Sequence, residues 1–544
     1  MTPRFNLVND PWITVRRLDG PPETVSLTDC IANAANYTGL TGDLPTQALP
    51  ILRLLLAIVH AATDGPADGD EWRRMWETKR LPADDVTRYL AAHADRFELF
   101  HPETPFYQVA DLTTKKTGTG LNAFIADVPT GNPKYATRAA EGLERIGFAE
   151  AARWLVHCQA FDLSGIKGAA DGDPRAKGGK SYPIGPGSLG RLGGVYAEGD
   201  NLAETVLLNF MPLDFLETAG TPIDGDLPAW EREPHGPAPE HREPEGAPNG
   251  LLDLYTWQSR RLRLTTDGHS VTGAVICQGD RLELRDQWAA EPMTAWRRSE
   301  NQEKLLKLER VYLPRRHDPD RAFWRGIAAN LPALSTGTAA GSRWTPPLIA
   351  RWIGHAHAAG LLERDRKVHY HAVGLAYGTQ EAVVTDLVDD RLTMAAAVFD
   401  ATRPELATAV ADAVKDADNA VRALAALARD LARAAGSRDS VDGAGTAAAS
   451  AGYAALGARY RTWLALLDAD EDTGAARTAW QAAVWAEVRD AAARLVRSAG
   501  EAAWKGRGTG ADRINSAIAE NRFRRKVFKD LPLAFATPIG ATDR

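Results

Sequence analysis

The residue pattern predicts an α+β protein: a large mixed α/β domain over residues 1–380, followed by a C-terminal up-down four-helix bundle over residues 381–544. Two observations carry this. Up to about residue 380, Pro, Gly and Trp punctuate short runs that suit strands and longer periodic runs that suit helices. After about Val384, Ala dominates, Gly and Pro nearly vanish from long stretches, and apolar residues recur at three and four.

In the mixed part, Leu7–Val15, Arg261–Thr265 and Gly273–Cys277 are the strand runs, and Thr46–Thr63 and Ala139–Leu155 the helical ones. The longest apolar run, Ile51–Ala62, carries Arg53 and His60 and is too short to span a bilayer, so a buried helix is expected. Residues 229–250, rich in Pro and Glu, should not pack and are expected to form an exposed or disordered loop. Four helical runs follow: Leu387–Asp400, Pro404–Ala435, Ala448–Leu467 and Thr473–Ser498. Pro404 sits where a first-turn proline is tolerated, and short breaks between the runs make an up-down bundle. The tail is basic, with Arg522, Arg524, Arg525, Lys526 and Lys529 around Phe523 and Phe528; a nucleic-acid contact and a solvated helix face fit equally.

The 544 residues allow about three to four domain-sized units, or two larger ones. A hydrophobic content of 44% and a charged content of 25% are ordinary for a globular protein. The formal net charge of −7 argues against coating nucleic acid non-specifically. Local basic patches still act, because the screening length in the cell is about 8 Å. Cys30, Cys158 and Cys277 are far apart and include no CxxC pair, which gives neither a disulfide framework nor a zinc knuckle. That usage, and an N-terminus without an apolar signal region, point to the cytoplasm.

From Asp162 to Gly194, glycines alternate with Lys167, Arg175, Lys177, Lys180 and Arg191. Glycine lets a backbone approach another chain closely, and cations among exposed amides make a surface for phosphate. A loop laid against nucleic acid and a long flexible surface loop are both compatible with this composition. No P-loop, HExxH or GxSxG signature is present. The pairs His355/His357 and His369/His371 have a metal-binding spacing only on a strand, and His355 falls in an expected helix. Without Cys or carboxylates at ligand spacing, no metal is expected.

Five segments together resemble one family: Phe5–Val15 (FNLVNDPWITV), Leu40–His60, His101–Gln108 (HPETPFYQ), Gly120–Pro129 (GLNAFIADVP) and Glu204–Asp214 (ETVLLNFMPLD). The chain resembles CasA, the large subunit of the type I-E CRISPR surveillance complex Cascade. The resemblance implies recognition without chemistry. A subunit of this kind reads a short protospacer-adjacent motif (PAM) in double-stranded DNA and promotes duplex opening and R-loop formation. It also helps recruit a separate helicase–nuclease in antiviral defence. The implied partners are the crRNA 5′ handle, PAM-containing duplex, the backbone and small Cascade subunits, and the helicase–nuclease. No cofactor, metal or membrane is implied.

The family's mobile loop carries a Phe near the guide handle, and the matching string here is Asn122-Ala123-Phe124. Lys115, Lys116, Lys134 and Arg138 flank it; an aromatic among cations suits base stacking, and a core Phe is the plain alternative. The family's minor-groove glycine loop falls on Ser164, Gly165, Ile166, Lys167 and Gly168, or by a register shift on Gly178–Lys180. Its glutamine wedge falls on Gly378, Thr379 and Gln380, where a plain turn into a helix is the alternative. The minor-groove lysine has no counterpart after Val271–Val275, so Gln278 or Arg281 would have to serve. The basic run holding Arg297 and Arg298, continuing to Lys304, Lys307, Arg310, Arg315 and Arg316, could line the path of the duplex together with Trp257–Arg261. Two other classes remain open: an independent metal-dependent hydrolase using the HxH pairs, and a scaffold that binds only protein.

Overall fold

The computed structural model describes residues 3–115, 120–128, 143–335, 343–437, 439–510 and 513–536. The chain is α+β and divides into two compact units. The first holds Met1–Phe323, Ser335–Glu363 and Val368–Arg391; the second holds Trp324–Leu334, Arg364–Lys367 and Leu392–Arg544.

In the first unit, β1 (Ile13–Arg17), β2 (Pro22–Val25) and, beyond α1 (Leu27–Ala32), β3 (Tyr37–Leu40) form an antiparallel sheet ordered β2-β1-β3. Ile13 and Val15 alternate inward, the period-2 burial of a strand with one covered face. The expected strand Leu7–Val15 is a strand only from Ile13; before it the chain turns, and the indole of Trp12 donates to the Leu7 carbonyl at 3.0 Å. Helix α2 (Ala48–Thr63) is buried from Ala48 to His60. By length and composition Pro45–Thr63 could cross a membrane, yet it forms the core of this unit. Arg53 is tolerated inside it because Glu291 accepts from its guanidinium at 2.6 Å, both side chains being at most 3% exposed. Helices α3 (Gly69–Thr78) and α4 (Ala83–Ala92) follow, and α3 contributes Trp72 and Trp76 to an aromatic stack.

The expected helix Ala139–Leu155 is observed instead as α5, Phe148–Phe161, entered through the extended Gly147. Residues 129–142 lie outside the described residues. After α5 come β4 (Lys167–Gly168) and β5 (Lys180–Ser181), paired with each other, then β6 (Gly194–Glu198), α6 (Leu202–Asn209), α7 (Leu213–Ala219) and α8 (Leu251–Tyr255). The expected strand runs Arg261–Thr265 and Gly273–Cys277 are observed as β7 (Arg260–Thr266) and β8 (Val271–Gln278), which pair antiparallel. Strand β9 (Trp296–Arg298), α9 (Glu300–Leu306), β10 (Tyr312–Pro314) and β11 (Trp344–Thr345) give a sheet ordered β10-β9-β11. Helix α10 (Leu348–Ala358) precedes β12 (Lys367–Tyr377) and β13 (Val384–Ala395), which join β6 in the order β13-β12-β6.

Two expectations are corrected here. Residues 387–395 are strand, not the first bundle helix: Leu392 and Met394 are buried at period 2, and 396–399 is a short 3-10 turn. Residues 229–250 are not an unpacked loop. Arg96 donates to the carbonyls of Ala229 and Arg232, Arg261 to those of Gly236 and Ala238, and Arg242 grips Asp253.

In the second unit, α11 (Pro404–Ala435), α12 (Val441–Leu466), α13 (Thr473–Ser498) and, after α14 (Gly500–Lys505), α15 (Ser516–Asp530) build the bundle. Contacts from Val410 to Tyr460 and from Arg429 to Asp442 make α11 and α12 antiparallel. Arg459 with Glu487 and Trp463 with Ala476 do the same for α12 and α13. The fourth long member is thus the C-terminal basic helix: Phe523 and Val527 face inward, and its exposed Arg524 and Lys526 are engaged by Glu520 and Asp530 of the same helix.

Candidate nucleic-acid interface

Helix α5 ends at Phe161, and Asp162 turns the chain into the glycine-rich stretch. Asp162 anchors that turn. Its carboxylate faces Lys167 at 2.7 Å and also engages Arg260, a fully buried side chain that donates to the carbonyls of Leu163 at 3.2 Å and Gly185 at 2.7 Å. Burial works to raise the Asp162 pKa, but the two cations outweigh it and hold the carboxyl below its usual range. The Ser164-Gly165 turn is then tied on both sides. The Ser164 amide donates to the Glu381 carbonyl at 3.0 Å, and Gln278 Nε2 donates to the Gly165 carbonyl at 2.8 Å.

The β12–β13 hairpin supplies the opposite wall. Tyr377 Oη donates to the Phe161 carbonyl at 2.9 Å, and the tip closes through the Gly378 amide to the Val383 carbonyl at 2.9 Å. Gln380 and Glu381, both non-glycine, sit at φ +57. Thr379 and Gln380 are exposed, as are the apolar side chains Val383 and Val384 beside them.

Between these elements lies a cleft of about 720 Å³, bordered by Ser164, Gly185, Arg191, Arg281, Arg285, Arg297, Arg316, Gln380 and Glu381. Arg191 and Arg316 both hold the Glu381 carboxylate. Arg281, Arg285 and Arg297 have no partner for their guanidinium groups among the described residues. Five guanidinia against the carboxylates of Glu283 and Glu381 leave a positive cleft. Chemically it suits a polyanion presented edge-on to a backbone turn and a protruding amide side chain.

The structure thus brings Ser164, Gly165, Arg297 and Gln380 to one place. Ile166 projects into solvent at 59% exposure, and Lys180 is exposed on the Lys177–Lys180 turn, where Lys177 and Lys180 pair with each other and Lys115 lies nearby. Other expectations are corrected. Phe124 is 3% exposed and part of the core, so its ring is not available for stacking, whereas Asn122 beside it is exposed. Gln278 is fully buried and positions the glycine turn rather than reaching out; Arg281 is the exposed alternative. Lys167 is tied to Asp162, with Gly168 in the short β4, and Arg298 is tied to Glu303. Trp257, Arg260 and Arg261 are buried and line no path. Lys116, Lys134 and Arg138 lie outside the described residues.

Part of the glycine density has a packing cause. A Cβ on Gly187 would lie 2.5 Å from the Ala160 carbonyl oxygen, so the stretch is glycine-rich there because it presses on α5. Around Gly165, by contrast, an added Cβ meets nothing within 4 Å. What sequence reasoning missed is Glu381 and Arg285; no local pattern marks either, since their cleft neighbours come from distant segments.

The histidine pairs have other occupations. His355, on α10, packs against Phe215 and Trp352, and His371 lies between Glu198 at 2.8 Å and Asp389 at 2.5 Å. Among the described residues, His235, Glu240 and Asp280 come close enough to hold a metal ion. Their carboxylates are already engaged by Arg232, Arg242 and Arg261.

Comparison with known proteins gives a consistent result. The family model described as CRISPR-associated protein Cse1 matches residues 6–528. The crystal structure of Thermobifida fusca Cse1 is 42% identical with a TM-score of 0.90, covering 98% of this chain and 99% of that one. A curated relative, the CRISPR-associated protein CasA/Cse1 of Thermus thermophilus, is 30% identical over 341 residues, a match spanning 60% of each protein. A chain from a structure described as a CRISPR RNA-guided surveillance complex shares the fold, with a TM-score of 0.69 at 19% identity over 98% of this chain and 100% of that one.

Proposed function

The chain belongs to the CRISPR-associated Cse1 family, and from that premise we propose that it is a non-catalytic subunit of a cytoplasmic, crRNA-guided surveillance complex that recognises a PAM in double-stranded DNA. The observation that carries this is convergence. The glycine turn at Ser164-Gly165, the strand end at Gln278–Arg281 and the hairpin tip at Gly378–Gln380 are far apart in sequence and meet at one arginine-lined cleft.

In this reading the duplex enters the cleft with its backbone against Arg281, Arg285 and Arg297, contacts that position it without reading bases. The Gly165 turn approaches the minor groove, whose degenerate edges tolerate more than one short motif. Gln380, exposed at the tip, separates the first base step beside the motif, an unstacking that costs a few kcal/mol and is offset by guide pairing. Contact with the crRNA 5′ handle is assigned to the exposed Asn122 and Lys115 rather than to the buried Phe124. The remaining Cascade subunits and the helicase–nuclease are partners on the strength of family membership.

The test is an electrophoretic shift of motif-bearing duplex with this chain alone and with the guide-loaded backbone subunits. Weak binding alone and tight, motif-dependent binding in the complex is the expected pattern. Equal affinity of the complex for duplexes with and without any motif would overturn it.

A further inference from the structure

We propose that Arg191 and Arg316 form a phosphodiester-binding pair that the chain's own Glu381 occupies in the absence of DNA, so that a backbone phosphate entering the cleft displaces the carboxylate and unlatches the hairpin tip. This rests on the reading above, that the cleft takes duplex DNA.

The geometry is that of an occupied anion site. Arg191 donates through Nε and Nη2 to Glu381 Oε2 at 3.1 and 2.7 Å, and Arg316 donates through Nη2 to Oε1 at 2.6 Å. A guanidinium fork from Arg191 and a single bond from Arg316 on the two oxygens of one anion is also how arginines meet a phosphate. One carboxylate neutralises only one of the two cations, and the other carboxylate of the cleft, Glu283, accepts from the Leu284 and Arg285 amides while three more guanidinia line the same cleft. The pair is also built for its place. Gly185 lies at φ +111, a conformation that favours glycine, and a Cβ there would stand 2.9 Å from Arg191 Cζ and push that guanidinium from its place. Arg316 is 45% exposed and Arg191 34%, so an incoming anion can reach both.

Glu381 also holds strain. It and Gln380 are consecutive non-glycine residues at φ +57, a left-handed conformation that side chains disfavour. The two arginines and the bond from the Ser164 amide to the Glu381 carbonyl maintain it. Burial works to raise the Glu381 pKa and the two guanidinia outweigh it, so the carboxyl is ionised at neutral pH and competes as an anion. Exchange for phosphate removes the side-chain ties, so that Glu381 stays joined to the glycine turn only through the Ser164 amide, while the tip keeps its own Gly378–Val383 and Gly378–Glu381 backbone bonds. Gln380 is then free to move as the backbone docks.

The probe is a fluorescent DNA duplex of random sequence, titrated into the full chain at low salt. Glu381→Gln removes the competing charge and should raise affinity about 3- to 10-fold. Arg191→Gln with Arg316→Gln should lower it by about tenfold or more, and Glu381→Gln added to that double variant should then change nothing further. If Glu381→Gln weakens binding or leaves it unchanged, the latch is wrong. A measurement on the unaltered chain guards against a misfolded variant: amide exchange over residues 378–383 should speed up when the duplex is added, and slowing or no change overturns the proposal. The ratio of affinities for motif-bearing and random duplex tests motif reading separately, because the latch concerns the random duplex alone.

Discussion

Replacing Asp162 by Asn should loosen the glycine turn before any other part of the first unit. The Asp162 side chain is 8% exposed and compensates two cations: Lys167 at 2.7 Å, itself 15% exposed, and Arg260, which is fully buried. Asparagine keeps the size and removes the charge, leaving both cations around a neutral amide. Breaking a buried pair this way costs about 3–5 kcal/mol when neither partner can escape. Lys167 can swing to solvent and Arg260 keeps its bonds to the Ser259, Leu163 and Gly185 carbonyls, so about 2–3 kcal/mol is the expectation. That corresponds to amide exchange at Ser164–Gly168 about 30- to 150-fold faster than in the unaltered chain. Hydrogen-exchange mass spectrometry reads this directly. Because the folded pKa of Asp162 is depressed, its contribution is complete above the unfolded value of about 3.9 and is lost only as pH falls through the folded value. The protection should therefore be flat across neutral pH. Exchange at these amides within about twofold of the unaltered chain would refute the anchoring role of Asp162.

Gly165→Ala should leave the melting temperature unchanged, since a Cβ there meets nothing within 4 Å, yet lower the affinity of the complex for motif-bearing duplex. An unchanged affinity would move the groove contact elsewhere. Phe124→Ala should destabilise the chain by about 3–5 kcal/mol, as for other buried aromatics, visible as a drop in melting temperature without guide RNA present. Both ring nitrogens of His371 face carboxylates; burial works to lower its pKa, and the hydrogen bonds that the imidazole donates to Asp389 and Glu198 raise it above the ordinary value. Its stabilisation is complete below about pH 6.5 and is lost as pH rises through the folded pKa, so His371→Gln should flatten the alkaline side of the stability profile. Burial instead depresses His157 and His317 to about 4, so their contributions are complete above about pH 6.5 and are lost progressively as pH falls from there to about 4. A melting temperature independent of pH from the acid to the alkaline side would contradict both.

Legibility in the sequence followed locality. Helices α11 and α13 begin and end where their own residues say: Pro404 opens one, and Asp472 caps the other by accepting from the Gly474 and Ala475 amides. The strands β7 and β8 were equally plain as short runs, while their pairing was not stated by either run alone. Strand β13 was misread because Leu387, Val388, Leu392 and Met394 also fit a helical spacing, and only pairing with β12 decides between the two periods. The final bundle helix hid behind its charge: with four cations from Arg522 to Lys526 interrupting it, Phe523 and Val527 did not register as a buried face. Residues 229–250 looked exposed or disordered because Arg96 and Arg261, which hold them, lie outside the segment. The cleft was half visible. Its glycine turn and hairpin tip were legible as motifs, but nothing around Arg191, Arg316 or Glu381 indicates that they meet.

The most direct measurement of the central claim is site-specific photo-crosslinking from positions 166 and 380 to motif-bearing duplex in the guide-loaded complex. Both positions are exposed, Gln380 lining the cleft and Ile166 following the Ser164-Gly165 turn at its border. Adducts at or within a few bases of the motif from both sites are predicted. Adducts from neither, in a complex that still binds the duplex, would place DNA recognition on another surface.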